Sequence, residues 1–136
     1  KEAREYVTDQ GGLIFTARNL RGVDGPTQMR LALITPILER WEAQGNPPVY
    51  ITLDIDSLDP AFAPGTGTPE PGGLSTSQVL TVLEEILLAG VNVVGMDLVE
   101  VAPAYDHAEL TSNAAATLAW TYLCGAVWQR KQREQT

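Results

Sequence analysis

The segment LDIDSLDPAFAPGTGTPE, residues 53 to 70, places Asp54, Asp56 and Asp59 within six residues and then runs into a loop stiffened by proline and glycine. Asp54 and Asp56 stand two apart at the end of VYITLDI, a β-branched and apolar run that reads as a buried strand. On an extended strand that spacing turns both side chains to one face, with Cα atoms about 6.5 Å apart. Two carboxylates so placed can grip a hard or borderline cation from one side. Left half-buried without a cation, the like charges would raise the pKa of one carboxyl or demand other compensation. Carboxylates suit magnesium, calcium or manganese, and added imidazole ligands shift the preference toward transition metals. The competing reading makes the pair a cap for backbone amides in the loop. Asp59, just before Pro60, fits that second role as a turn former.

Another acidic residue, Glu100, closes the apolar run VNVVGMDLVEV, residues 91 to 101. Asp97 lies three positions earlier and so points away from Glu100, which suits a structural hydrogen bond or support for a ligand. In an open parallel sheet, ligands bind beyond the carboxyl ends of the strands, and both acidic clusters lie there. In the following loop, APAYDHAEL, Asp106 and Glu109 read as rim residues or a helix cap, and the single histidine, His107, as a surface or rim residue with metal or proton chemistry as the alternative. Arg18 and Arg21 read as solvated or contact residues, with recognition of a carboxylate-bearing ligand as the alternative.

The elements that must position these groups alternate. Leu13 to Ala17 follows a Gly-Gly turn as a short strand candidate, and the spacing of Met29, Leu33, Ile34, Ile37, Leu38 and Trp41 predicts a helix from Thr27, with Pro36 as a local objection. The strand at 49 to 55 follows, then the loop from Ser57 to Gly73, whose four prolines and four glycines make it too rigid for a linker. Ser75 caps a helix carrying Val79, Leu83, Ile86 and Leu87, the strand at 91 to 101 comes next, and Thr111 or Ser112 opens a last helix. Both strands read as buried on both faces. The charged tail QRKQREQT reads as a solvated helix end, and Trp41, Trp120 and Trp128 as packing residues. Strand, helix, strand, helix, strand, helix predicts an α/β fold with a parallel sheet between helical layers.

Composition narrows the function classes. A chain of 136 residues is most simply one domain, and 9 basic against 17 acidic residues, a net charge of −8, disfavour nucleic acid or an anionic membrane surface as partner. A cationic ligand or a metal suits it better. The lone Cys124 excludes an intramolecular disulfide framework and reads as a buried, inert thiol, which fits a reducing cytoplasm. No apolar run approaches the roughly 20 residues of a membrane helix. A nucleotide-binding sheet is disfavoured because no glycine-rich phosphate motif follows a strand.

DIDSLDPAFAPGTGTPEPGGL followed by GMDLVEVAPAYD resembles the signature region of the ureohydrolase family, the arginase and agmatinase group of binuclear manganese enzymes, and is most similar to its agmatinase and guanidinobutyrase branch. The resemblance covers about residues 49 to 123 and implies a three-layer α/β/α architecture with a parallel sheet. Residues 1–136 then correspond to the carboxyl-terminal part of a single domain. It also implies roles for individual residues: Asp54 bridging two Mn2+ ions, Asp56 ligating one of them, and Glu100 holding a substrate guanidinium with Thr68 nearby. The GTGTPE loop becomes a pocket wall. The implied reaction is metal-assisted hydrolysis of a small cationic guanidino compound, agmatine-like, to urea and an amine. The implied assembly is a homo-oligomer, trimer or hexamer.

The family's further ligands come from motifs resembling GGDHS and DAHxD, which this sequence does not contain. Two aspartates cannot fill the shells of two ions that each take about four to six ligands. The chain is therefore expected to supply only part of a site, the rest coming from an upstream segment or another chain. The alternative is a catalytically inactive module that binds or assembles with a complete ureohydrolase.

Overall fold

In VYITLD, Val49, Ile51 and Leu53 alternate with Tyr50, Thr52 and Asp54, so an extended chain sends one set inward and the other outward. In the computed structural model, which describes residues 2–135, this run forms β1 (Val49–Asp54). It pairs in parallel with β2 (Val93–Val99), Thr52 opposite Asp97 and Asp54 opposite Val99. The register slips between Val49 and Tyr50, whose partners are Val93 and Gly95, so Val94 forms a bulge. Beyond it Gly95, Asp97 and Val99 share a face with Tyr50, Thr52 and Asp54.

The crossover is α4 (Thr76–Leu88), and α5 (Leu110–Glu134) follows β2. Ser75 opens α4 as predicted: its hydroxyl accepts the Gln78 N–H at 3.1 Å while the Gln78 side chain accepts the Ser75 N–H at 2.9 Å. Leu53, Ile55, Leu58, Val79, Leu83, Leu87, Val93, Ala115 and Leu118 form the main core between these helices and the sheet. Each large apolar side chain buried there contributes about 2 kcal/mol. Close approach of α4 and α5 requires a glycine: a Cβ on Gly125 would lie 2.5 Å from Leu87 Cδ1.

Several expectations need correction. Both strands were expected to be buried on both faces, but Tyr50, Thr52, Val94 and Val99 are exposed, because the helices cover only the Ile51 and Leu53 face among the described residues. Leu13 to Ala17 forms no strand. Thr16 and Asn19 instead cap one another around a 3-10 turn, Ala17–Leu20, and this local pairing competes with extension. The amino-terminal helix α1 (Glu2–Asp9) buries no residue, so no apolar stripe announces it. Pro36 does not break its helix: α2 (Pro26–Met29) passes through a π turn, Arg30–Ile34, into α3 (Thr35–Ala43), and the Thr35 N–H reaches back to the Arg30 carbonyl. The wider turn accommodates the proline ring. Met29, Leu33 and Ile34 pack with Leu20 in a second cluster.

α5 buries Thr111, Ala114, Ala115, Leu118 and Gln129 along one stripe. Trp120, 67% exposed, and Trp128, 42% exposed, lie off that stripe and so are not the packing residues expected, and Cys124 is exposed rather than buried. Trp41 is half-buried, and its indole N–H donates to the Pro47 carbonyl at 2.8 Å. Nor is the tail wholly solvated. Gln129, 4% exposed, donates through Nε2 to the carbonyls of Leu87 at 2.7 Å and Val91 at 3.0 Å, closing the end of α4 and the entry to β2. The first turn of α5 is capped from a distance: the Asp106 carboxylate accepts the N–H groups of His107, Thr111 and Ser112 and the Ser112 hydroxyl. Burial alone would raise its pKa, but the Thr111 and Ser112 N–H groups and hydroxyls outweigh it and hold the carboxyl well below the ordinary range. Among the described residues no helix is long and apolar enough to cross a membrane.

Gln129→Ala leaves two carbonyls without their donor, and urea unfolding is expected to show a loss of about 2 kcal/mol. The lowered folded-state pKa of Asp106 makes its stabilisation complete above the unfolded carboxylate range and progressively lost as pH falls below that range to the lower folded value. The stability difference between wild type and Asp106→Asn should therefore be constant near neutrality and shrink below about pH 4, as measured by thermal melts across pH.

Candidate functional site

β1 ends at Asp54 because the next residues must turn. Ile55, 0% exposed, and Leu58, 1% exposed, both enter the core, and the intervening Ile55–Ser57 segment winds into a 3-10 turn. Asp54 is the N-cap of that turn, its Oδ1 accepting the Asp56 N–H at 3.3 Å, while the Ser57 hydroxyl donates to the Asp54 carbonyl at 2.7 Å. Asp56 is thus not on the extended strand as predicted. A turn, rather than strand alternation, brings the two carboxylates together. The cap reading and the ligand reading coexist, since the cap uses one carboxylate oxygen at the long end of hydrogen-bond range.

The loop after the turn is pinched at its base, where the Asp59 N–H donates to the Leu74 carbonyl at 2.8 Å and the Leu74 N–H to the Ser57 carbonyl at 2.9 Å. Asp59 accepts the N–H groups of Ala61 at 2.8 Å and Gly72 at 2.7 Å, which lower its pKa and make it the turn former expected. From this frame Thr68 reaches back, its hydroxyl donating to Asp56 Oδ2 at 2.5 Å. The resemblance implied Thr68 near a substrate guanidinium; in the structure its hydroxyl meets Asp56.

Glu100 follows β2 directly and adopts a left-handed backbone, φ 65°. That conformation is uncommon for a residue with a side chain and turns the strand sharply into the next loop. Burial pushes the Asp54 carboxyl above the ordinary range, and the Asp56 carboxyl and the charges of Asp56 and Glu100 push the same way, while the Asp56 N–H pulls back. Asp54, Asp56 and Glu100 therefore form one region of concentrated negative charge at the carboxyl end of the sheet. Asp97, on the sheet face that carries Asp54, accepts the Thr52 hydroxyl at 2.6 Å and the Tyr50 hydroxyl at 3.1 Å. It has the hydrogen-bonding role expected, and its bond to Tyr50 raises that phenol's pKa.

The structure brings Asp54, Asp56 and Thr68 into direct contact and sets Glu100 within electrostatic reach of Asp54. His107, Arg18 and Arg21 are exposed outside this contact network. Among the described residues no group of three or more histidine, cysteine, aspartate or glutamate side chains is arranged to hold a metal ion. The aspartate pair fits a divalent cation in kind, as hard oxygen donors in a crowded anionic setting, but supplies only part of a shell. Sequence reasoning read Thr111 only as a possible helix start and missed that its buried hydroxyl accepts the Gly65 N–H, because nothing in its spacing links it to a loop 46 residues away.

The sequence model of the Arginase family matches residues 1–125. An agmatinase of Chromobacterium violaceum is 58% identical over 88 residues, which cover 65% of this chain and 27% of that protein. Among solved structures, a hypothetical agmatinase from Burkholderia thailandensis superposes with a TM-score of 0.62 at 44% identity, over 79% of this chain and 33% of that one. Proclavaminate amidino hydrolase from Streptomyces clavuligerus superposes with a TM-score of 0.72 at 37% identity, over 89% and 37%. The chain thus spans roughly a quarter to two fifths of the length of these relatives, whose fold is the α/β architecture that its parallel β1–α4–β2 unit predicts. A family match across nearly its whole length, with the acidic strand ends and the clamped glycine loop inside that match, places the chain in the arginase family, where it is agmatinase-like.

Proposed function

We propose that this chain contributes part of the active site of a ureohydrolase that converts a guanidino compound, agmatine-like, to urea and an amine with a binuclear manganese centre. The supporting observation is the contact chain Thr68–Asp56–Asp54 at the carboxyl end of β1, inside the arginase-family match. Asp54 and Asp56 would hold manganese. When bound, the ions supply Lewis-acid polarisation and ready activation of water.

The chain's own residues do the rest. The Thr68 hydroxyl fixes one oxygen of Asp56 and so its rotamer, leaving the other oxygen for a cation. Glu100 accepts hydrogen bonds from the guanidinium and offsets its positive charge, which orients the carbon to be attacked. Proline at 64 and 69 limits the loop's motion, and glycine at 67, with open space where a Cβ would stand, lets its backbone approach a ligand. The negative potential that pushes Asp54 upward also favours a cationic substrate over a neutral one. Further ligands come from outside these residues, and residues 1–136 form the carboxyl-terminal part of a single domain. Assembly as a cytoplasmic trimer or hexamer belongs to the same reading.

A second reading is a module without chemistry that binds or assembles with a complete ureohydrolase; the two-carboxylate set is common to both readings. Urea release from agmatine and from guanidinobutyrate with added manganese separates the two. The isolated chain is expected to be inactive, and the chain joined to the upstream part of an arginase-family protein is expected to be active; inactivity of the joined form favours the module. In the active form, Asp54→Asn and Asp56→Asn should each lower bound manganese in elemental analysis, and full metal content in either variant would remove that residue from the ligand set. Glu100→Gln should keep the metal and lower kcat/KM for agmatine about a hundredfold, since it removes a charge-assisted contact to the substrate.

A further inference from the structure

One residue joins the two loops of the site to helix α5. The Gly65 carbonyl accepts the Ala102 N–H at 2.8 Å, and the Gly65 N–H donates to the Thr111 hydroxyl at 2.7 Å. Thr111 is fully buried in the first turn of α5. Its own N–H donates to Asp106 Oδ1 at 3.0 Å, while Ser112 donates to Oδ2 through its N–H at 2.9 Å and its hydroxyl at 2.8 Å. Gly65 sits so close to Asp106 that a Cβ on the glycine would lie 2.7 Å from the aspartate Cβ. Three residues beyond Gly65, Thr68 donates to Asp56; two residues before Ala102 stands Glu100. A displacement at Gly65 is therefore felt in both site segments.

We propose that Thr111 and Asp106 are positioning residues of the site. Through Gly65 they fix the loop so that Thr68 reaches Asp56, and they fix the exit of β2 that carries Glu100. Neither touches Asp54, Asp56 or Glu100 through a hydrogen bond in this structure; they act on the site through the Gly65 backbone. The contact is chemically selective, because a valine in place of Thr111 keeps the shape but offers the buried Gly65 N–H no acceptor. The inference rests on the reading of Asp56 and Thr68 as site residues.

The test has two readouts on Thr111→Val, Thr111→Ser and Asp106→Asn. The first is amide hydrogen exchange of the full chain. Thr111→Val is expected to raise exchange about tenfold at residues 65 to 68 and to leave the α4 core around Leu83 and Leu87 unchanged, while Thr111→Ser restores protection. The second is affinity for manganese alone in the joined form, followed by electron paramagnetic resonance. Thr111→Val should weaken it about tenfold and Thr111→Ser should not. Unchanged exchange at 65 to 68, or a uniform rise that includes α4 in both Thr111→Val and Asp106→Asn, overturns the anchoring. Loosened exchange with unchanged manganese affinity overturns the positioning role. A wild type that binds no manganese overturns the functional reading, and the positioning role with it, while the exchange arm still reports whether the Gly65 anchor exists.

Discussion

The burial of Ile55 and Leu58 is the constraint on which the rest depends. These two side chains, drawn fully into the core between sheet and α4, force the chain out of its strand immediately after Asp54. The acidic residues interleaved with them cannot follow, since an ionised carboxylate in that core would carry a desolvation penalty far larger than a leucine's gain. They are left at the strand end, facing one another across a turn. The order Asp-Ile-Asp-Ser-Leu thus converts a hydrophobic driving force into a pair of closely held negative charges. No attractive contact between the aspartates is needed, because packing overrides their repulsion.

Three aspartates of this region show how local partners decide what such a charge can do. Asp59 and Asp106 accept several backbone N–H groups, and their pKa values fall despite partial burial. Asp54 has a single long contact of that kind and faces Asp56 and Glu100, so burial prevails and its pKa rises. The first two are satisfied by their own backbone and serve as fasteners. The third is short of positive charge, which is the condition that a cation relieves. The same residue type is thus shifted in opposite directions by the count of N–H donors around it.

The parallel β–α–β unit, the Ser75 cap, the Asp59 turn and the clustering of Asp54, Asp56, Thr68 and Glu100 at the strand ends were legible in the sequence, because each follows from short-range spacing or from a long specific motif. Other features were not. The predicted strand at Leu13 lost to a reciprocal Thr16–Asn19 cap, a local hydrogen-bonding choice that apolar content does not report. Asp56 left the strand because the burial of Ile55 and Leu58 overrode simple alternation. Gln129 looked like part of a charged tail, and only the arrival of α4 and β2 beside it makes its amide a clasp. Thr111 was read as a helix start, yet its hydroxyl serves a loop distant in sequence.

The surfaces left open follow the same logic at larger scale. Tyr50, Val94 and Val99 on the uncovered sheet face, and Trp120, Leu123, Val127 and Trp128 on the outer side of α5, are apolar groups at positions where a helix or sheet would ordinarily be packed. Among the described residues the sheet has two strands, whose edges present backbone groups without a strand partner, and such a pair is marginal unless it is covered. Trp120 and Trp128 border a groove with Glu84, Leu87 and Leu88 of α4, and Met96 and Leu98 of β2 line a second hollow with Ala119, Tyr122 and Leu123 of α5. Asp54 and Asp97 share the uncovered face. A segment that covered this face would bury Tyr50, Val94 and Val99 and bring its own side chains beside Asp54 and Asp97 in one step.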